Sequence, residues 1–298
     1  MFTLPKPSDG FDWVQLPAGP ALVCRPLERH AAHAFTTRPW RLGASSTPVD
    51  DGDAWREVAD AMAVHPRCLK RLRQVHGAAC VTHRRGAEKR DGGLPDADII
   101  ISDDPSVAVA VQTADCVPIL IADRRSGVAA AVHAGWRGLV ARAPAIALER
   151  LAADFGSRAE DLVVAVGPAI GPCCYEVGPD VRTQFERASF AAPQLASWFR
   201  AGPLASSVNP PMPSLSRARK EGHWFFDAAR AARDQLEVSG VAAAQIFTSG
   251  LCTASHPDAF CSYRRDGSPA GRMAAALRPA ATSAPDPSPR SRADRRGR

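Results

Sequence analysis

Five short apolar runs, crowded between residues 98 and 166, constrain this chain more than any other feature. They are 98–102 (DIIIS), 107–111 (VAVAV), 117–122 (VPILIA), 127–133 (GVAAAVH) and 162–166 (LVVAV), each bounded by Gly, Pro or polar residues. Runs this short, with little polar alternation, suit strands buried on both faces. They exclude a membrane-spanning helix, which needs about 18 apolar residues in succession. Helical patterns cover roughly residues 144–154, 179–188 and 228–237. Pro144 and Pro179 fit first helical turns, where a missing N–H costs nothing, and Asp227 stands where an N-cap belongs. The mixture predicts an α/β or α+β domain with its ordered body at residues 21–278.

The opening MFTLPKPSDGFDW lacks the charged and apolar regions of a secretory leader, so the expected compartment is the cytoplasm. There, eight cysteines in 298 residues read as thiols, ligands or nucleophiles, not as a disulfide scaffold. The net charge of +6 invites a nucleic-acid reading, but the five Arg and two Asp of residues 281–298 supply +3 of it. Of the 37 basic residues, 33 are Arg, which together with abundant Ala reflects compositional bias more than a phosphate-binding surface. Neither a nucleic-acid nor a membrane partner is expected. Residues 279–298, rich in Pro, Ser and Arg, read as a disordered tail, and residues 201–222, with four prolines, as an exposed loop.

Three segments deliver metal-competent side chains to the ends of apolar runs. They are Gln74-Val75-His76-Gly77, Gln112-Thr113-Ala114-Asp115-Cys116 and His133-Ala134-Gly135-Trp136-Arg137-Gly138. Imidazole and thiolate together favour zinc or copper over magnesium or calcium, and three protein ligands leave a fourth tetrahedral position open. The spacing does not show that His76, Cys116 and His133 converge; hydrogen-bonded histidines at a sheet edge and a small buried Cys116 would look the same. Cys173 and Cys174 are vicinal, fitting either a redox pair or buried structural thiols. Cys252 and Cys261 match no zinc-finger spacing. Residues 262–267 (SYRRDG) either grip an anion through arginine or form an exposed charged turn.

The combination of QVHG (74–77), DADIIIS (96–102), QTADCVPILIAD (112–123), AVHAGWRG (131–138), GPAIGPCCYEVG (167–178), CTASHPDAFCSYRRDG (252–267) and AGRMAAAL (270–277) resembles the laccase-domain family. That family is also called multicopper polyphenol oxidoreductase or purine nucleoside phosphorylase, and includes the bacterial peptidoglycan editing factor. The resemblance implies an α+β fold, layered α/β/β/α in one domain and similar to the catalytic domain of cytotoxic necrotising factor. It implies one Zn2+ per chain on His76, Cys116 and His133, with adventitious Cu2+ as an alternative occupant. The implied substrates are purine nucleosides with phosphate: phosphorolysis of adenosine, inosine, guanosine and S-methyl-5'-thioadenosine, and deamination of adenosine. Arg38 carries over as a substrate-side cation, and either Arg38 or Arg264, the latter from the SYRRDG segment, would neutralise phosphate charge. Asp115 either shuttles a proton and orients Cys116, or caps its own loop. The chain departs from the family after Ala34-Phe35-Thr36-Thr37-Arg38, where Pro39-Trp40-Arg41-Leu42 replaces a glycine-rich stretch. With eight histidines and no His-x-His pair, the chain alone does not supply a four-copper centre.

Two other readings stay open on sequence. One is a hydrolase that removes L-serine from UDP-muramyl-L-serine, through the same zinc or a Cys116–His133 pair. The other is a non-catalytic metal-binding regulatory protein with a closed ligand shell. The oligomeric state is not legible.

Overall fold

The computed structural model describes residues 4–43, 52–86, 93–215 and 220–281. The chain begins with β1 (Phe11–Leu16), β2 (Gly19–Cys24), a short α1 (Arg25–Glu28), β3 (Ala31–Thr36), α2 (Gly52–Ala61) and β4 (Leu69–Lys70). The middle holds β5 (Cys80–His83), β6 (Ile99–Ser102), β7 (Ala108–Thr113), β8 (Val117–Asp123), β9 (Ala129–Ala134), α3 (Trp136–Val140), α4 (Ala143–Phe155) and β10 (Leu162–Val166). The remainder is β11 (Glu176–Val177), α5 (Pro179–Arg187), α6 (Ala192–Trp198), β12 (Phe199–Arg200), β13 (Trp224–Phe226), α7 (Ala228–Val238), β14 (Ile246–Thr248), α8 (Tyr263–Asp266) and β15 (Met273–Pro279). All five apolar runs become strands, β6 to β10, and the three expected helices are α4, α5 and α7 to within a residue at each end. Pro144 lies in the first turn of α4, Pro179 opens α5, and the Asp227 carboxylate accepts from the Arg230 N–H at 3.0 Å to cap α7.

Two six-stranded sheets carry the fold, in the orders β1-β2-β3-β15-β7-β4 and β14-β10-β8-β9-β6-β5. Strands alternate faces at every residue, so each sheet divides its apolar residues between two cores. Between the sheets, Leu22, Phe35, Val109 and Met273 of the first meet Ile100, Leu120, Ala131 and Val163 of the second. On the far side of the second sheet, Ile99, Ile119, Val132 and Val164 share a core with Leu148 and Leu151 of α4, Phe185 of α5 and Leu236 of α7. On the far side of the first, Ala34, Ala108 and Ala276 share one with Trp55 and Val58 of α2. The layers thus run helix, sheet, sheet, helix, a mixed α+β arrangement. With both faces covered, the runs need no polar alternation.

The folded part starts earlier than residue 21, which falls inside β2. β1 is an edge strand with Asp12 and Gln15 exposed, so it lacks the continuous apolar run that marks a buried strand. At the other end, Pro279 closes β15, and the tail from residue 282 lies outside the described residues. The described part of residues 201–222 has neither helix nor strand and is largely exposed, while 216–219 lie outside the description. Among the described residues, no helix is long and apolar enough to cross a membrane.

Two stretches carry the chain directly from the first sheet to the second. They are residues 71–79, between β4 and β5, and residues 114–116, between β7 and β8.

Candidate metal centre and its cleft

Strand register brings the three segments together. In the β8–β9 pair Pro118 lies opposite His133, so Cys116, just before β8, and His133, near the end of β9, reach the same edge. His76 comes to that edge on the 71–79 crossing. Its neighbour Gln74 pairs with the end of β7, the side chain donating to the Gln112 carbonyl at 2.7 Å and accepting from its N–H at 2.8 Å. One ligand atom each from His76, Cys116 and His133 lies within 4.8 Å of the other two. The imidazole rings stand edge to face, 4.9 Å between centroids. His76 is exposed, Cys116 half-buried and His133 buried.

The cluster is held by one carboxylate, Asp98, which is fully buried. Its Oδ1 accepts from His133 Nδ1 at 2.8 Å and from the His76 N–H at 3.0 Å. Its Oδ2 accepts from the Gly77 N–H at 2.6 Å and the Val75 N–H at 3.3 Å. Placing the His133 proton on Nδ1 leaves Nε2 for the cluster. Asp98 was missed on sequence; its signal is a charge leading a run buried on both faces. His76, at φ 59°, and Asp115, at φ 92°, both adopt left-handed backbone that side chains disfavour. Strain of this kind concentrates at functional sites. Gly135 has its own reason to be glycine: a Cβ there would come to 2.9 Å from Cys116 Sγ and 3.0 Å from His76 Cδ2.

The charges within the cluster are interdependent. Burial pushes the Cys116 thiol up, but the facing His133 charge and hydrogen bonds from His133 and His76 outweigh it and bring it to about 6. Burial likewise pushes His133 down, but the Cys116 thiolate and Asp98 outweigh it and raise it to about 9. Asp98 stays below its usual value because hydrogen bonds from His133, Gly77 and His76 exceed the cost of its burial. In the absence of a metal, each of the two groups thus favours the charged form of the other. This donor set fits a borderline-soft ion such as zinc: two imidazoles, one thiolate, and a carboxylate already orienting one imidazole.

The cluster opens into a cleft of about 1280 Å³. Trp136, Tyr175 and Tyr263 line it with aromatic surface, and Arg71, Arg73, Arg137, Arg264 and Arg272 line it with charge. Of the two arginines singled out on sequence, Arg264 is in this lining and Arg38 is not. The Arg264 guanidinium sits 4.9 Å over the Tyr175 ring and donates to the Glu176 carbonyl at 2.5 Å. The Arg38 guanidinium donates to the Pro257 carbonyl at 2.9 Å and lies 3.8 Å from Asp266. The Asp115 carboxylate is occupied: it accepts from Thr253 Oγ1 at 2.6 Å and from the Arg264 N–H at 2.6 Å. Burial pushes its carboxyl up despite those bonds. It therefore joins the loop before Cys116 to residues 253 and 264.

A model of the multi-copper polyphenol oxidoreductase laccase family matches residues 48–279. A Deinococcus radiodurans protein named purine nucleoside phosphorylase is 35% identical over 256 residues, 82% of this chain and 88% of that protein. A Bacteroides thetaiotaomicron protein of the same name is 33% identical over 187 residues, 63% of this chain, and the aligned part spans 62% of that protein. Among solved structures, YlmD from Geobacillus stearothermophilus superposes with a TM-score of 0.70 at 27% identity, over 90% of this chain and 99% of that one.

Proposed function

Since the chain belongs to the multi-copper polyphenol oxidoreductase laccase family, we propose that it is a zinc-dependent enzyme acting on purine nucleosides, by phosphorolysis and, for adenosine, by deamination. The observation that carries this reading is the convergence of His76, Cys116 and His133 on a cleft lined by five arginines. His76, Cys116 and His133 would hold the ion, which supplies Lewis acidity when bound. Asp98 keeps the His133 proton on Nδ1 and fixes the position of His76. Trp136 and Tyr175 offer flat apolar surface to a purine base, and the arginines offset the charge of phosphate. Asp115 acts by positioning, through Thr253 and Arg264. On the same footing we place the likeness of the layered fold to the catalytic domain of cytotoxic necrotising factor, which superposition tests.

The experiment is chromatography of adenosine incubated with zinc-loaded protein. With phosphate the expected products are adenine and ribose 1-phosphate; without it, inosine. Substituting Cys116 by Ser should remove both activities together with the zinc held at the His76–Cys116–His133 cluster. Protein of verified zinc content that converts adenosine in neither condition overturns the proposal. Serine release from UDP-muramyl-L-serine by that same preparation would put the hydrolase reading in its place.

A further inference from the structure

A second group of soft donors lies apart from the first. Cys173 and Cys174, from the loop after β10, meet Cys252, from the loop after β14, with the three Sγ atoms within 4.8 Å of one another. All three side chains are buried, and no disulfide joins them. Their common neighbour is Ser255, whose Oγ lies 3.4 Å from Cys173 Sγ and 3.6 Å from Cys174 Sγ. That hydroxyl donates its proton to the Pro210 carbonyl at 2.7 Å, which leaves its lone pairs on the side of the sulfurs.

We propose that Cys173, Cys174 and Cys252, with the Ser255 hydroxyl as fourth donor, form a structural zinc site separate from the His76–Cys116–His133 cluster.

The dimensions support it. A tetrahedral zinc with Zn–S near 2.3 Å and Zn–O near 2.1 Å separates its sulfurs by about 3.8 Å and sulfur from oxygen by about 3.6 Å. The sulfur–oxygen distances from Cys173 and Cys174 are already close to that, and the three sulfurs, within 4.8 Å of one another, need only draw together by up to roughly an ångström. Three buried cysteines, two from one loop and one from another, with a hydroxyl oxygen beside two of them, exceed what packing requires; small apolar residues would fill that volume without polar atoms. There is a way in, since Cys173 and Cys252 line a second cavity of about 330 Å³ that also reaches Asn209, Arg230 and Arg233. Met212 and Leu215 pack against the same cluster.

The site explains why two long loops lie where they do. Ala169 pairs with Cys252 as an isolated bridge, the Gly171 N–H donates to Cys252 Sγ at 3.2 Å, and the Asn209 side chain accepts from the Cys252 N–H at 2.8 Å. Thr253, next in sequence, holds Asp115. An ion here would pin both loops that build one wall of the cleft, without touching substrate.

The test uses the full chain carrying His76→Ala and Cys116→Ser, which empties the first cluster and leaves the second intact. It is purified anaerobically under reducing conditions, treated with chelator and reloaded with zinc. About one zinc per chain by elemental analysis is expected, and cobalt in its place should give intense near-ultraviolet thiolate charge-transfer absorption. Adding Cys252→Ser should abolish both signals. An independent measurement needs no variant: in the native chain, zinc should slow alkylation of Cys173, Cys174 and Cys252 by about tenfold or more, reversibly with chelator, as mapped by mass spectrometry. Absence of bound zinc with unchanged alkylation rates overturns the proposal. Binding of copper(I) alone, with no zinc retained, overturns the assignment to zinc.

Discussion

Replacing Asp98 by Asn removes one charge and turns one acceptor into a donor, at the atom on which the candidate centre depends. The carboxylate accepts from His133 Nδ1, and from the N–H groups of His76, Gly77 and Val75. An amide keeps one oxygen, so either the His133 and His76 pair or the Gly77 and Val75 pair must face an NH2 group. Leaving a buried donor unmet costs about 1–3 kcal/mol, and the surviving bonds lose their charge assistance, for a total of about 2–4 kcal/mol. In a chain of this size that is a fall in Tm of about 3–6 °C. Zinc affinity should drop about tenfold to a hundredfold, because His133 loses the group that fixes its proton and ring. The loss depends on pH. Asp98 is held below its ordinary value in the fold, so its contribution is complete above about pH 4, the unfolded value, and disappears as pH falls through the folded one. Thermal melts of both proteins from neutral to acidic pH, with zinc competition at neutral pH, check this. A variant matching its parent in Tm and zinc affinity at pH 7 would refute the role given to Asp98.

Other outcomes rest on the same geometry. Gly135→Ala puts a methyl 2.9 Å from Cys116 Sγ and 3.0 Å from His76 Cδ2, so zinc affinity should fall at least about tenfold for a stability cost of about 1–3 kcal/mol, read by competition titration and melting. In metal-free protein, Cys116 should alkylate with a half-point near pH 6, since the thiolate dominates above that value, against about 8.5 for an ordinary thiol; a half-point above 8 would show that His133 does not activate it. Thr253→Val keeps the shape but withdraws the hydroxyl that donates to Asp115, and should cost about 1–3 kcal/mol with no change in zinc bound at the first cluster.

The sequence made the second sheet and the ligand trio visible for a common reason. Strands buried on both faces must be continuously apolar, so β6, β8, β9 and β10 announce themselves, and the polar residues that end them stand out. The first sheet is quieter. β15 reads MAAALRP, and alanine favours helix, yet Ala275 and Ala276 lie in a central strand because small side chains suit the space between two packed sheets and against α2. β1 is an edge strand with polar residues outward. Asp98 was hidden within a strand-forming segment, where its hydrogen bonds depend on β6 lying beside β9. Arg38 was singled out by its place in a motif, but its partners Pro257 and Asp266 are more than 200 residues away, and no local pattern reveals them. The grouping of Cys252 with Cys173 and Cys174 is equally non-local, since it depends on β14 lying parallel to β10.

The two places where the chain leaves the first sheet for the second are the stretches that carry His76 and Cys116, while His133 belongs to the second sheet alone. An ion gripped by all three would work as a clasp at the shared margin of the sheets, resisting their sliding as well as serving chemistry. Occupancy would then register far from the cleft: hydrogen exchange along β7 and β8 should slow as the ion binds, by the factor that ligation adds to global stability. Stripping the ion would loosen the margin first, leaving the helix-backed cores on either side intact.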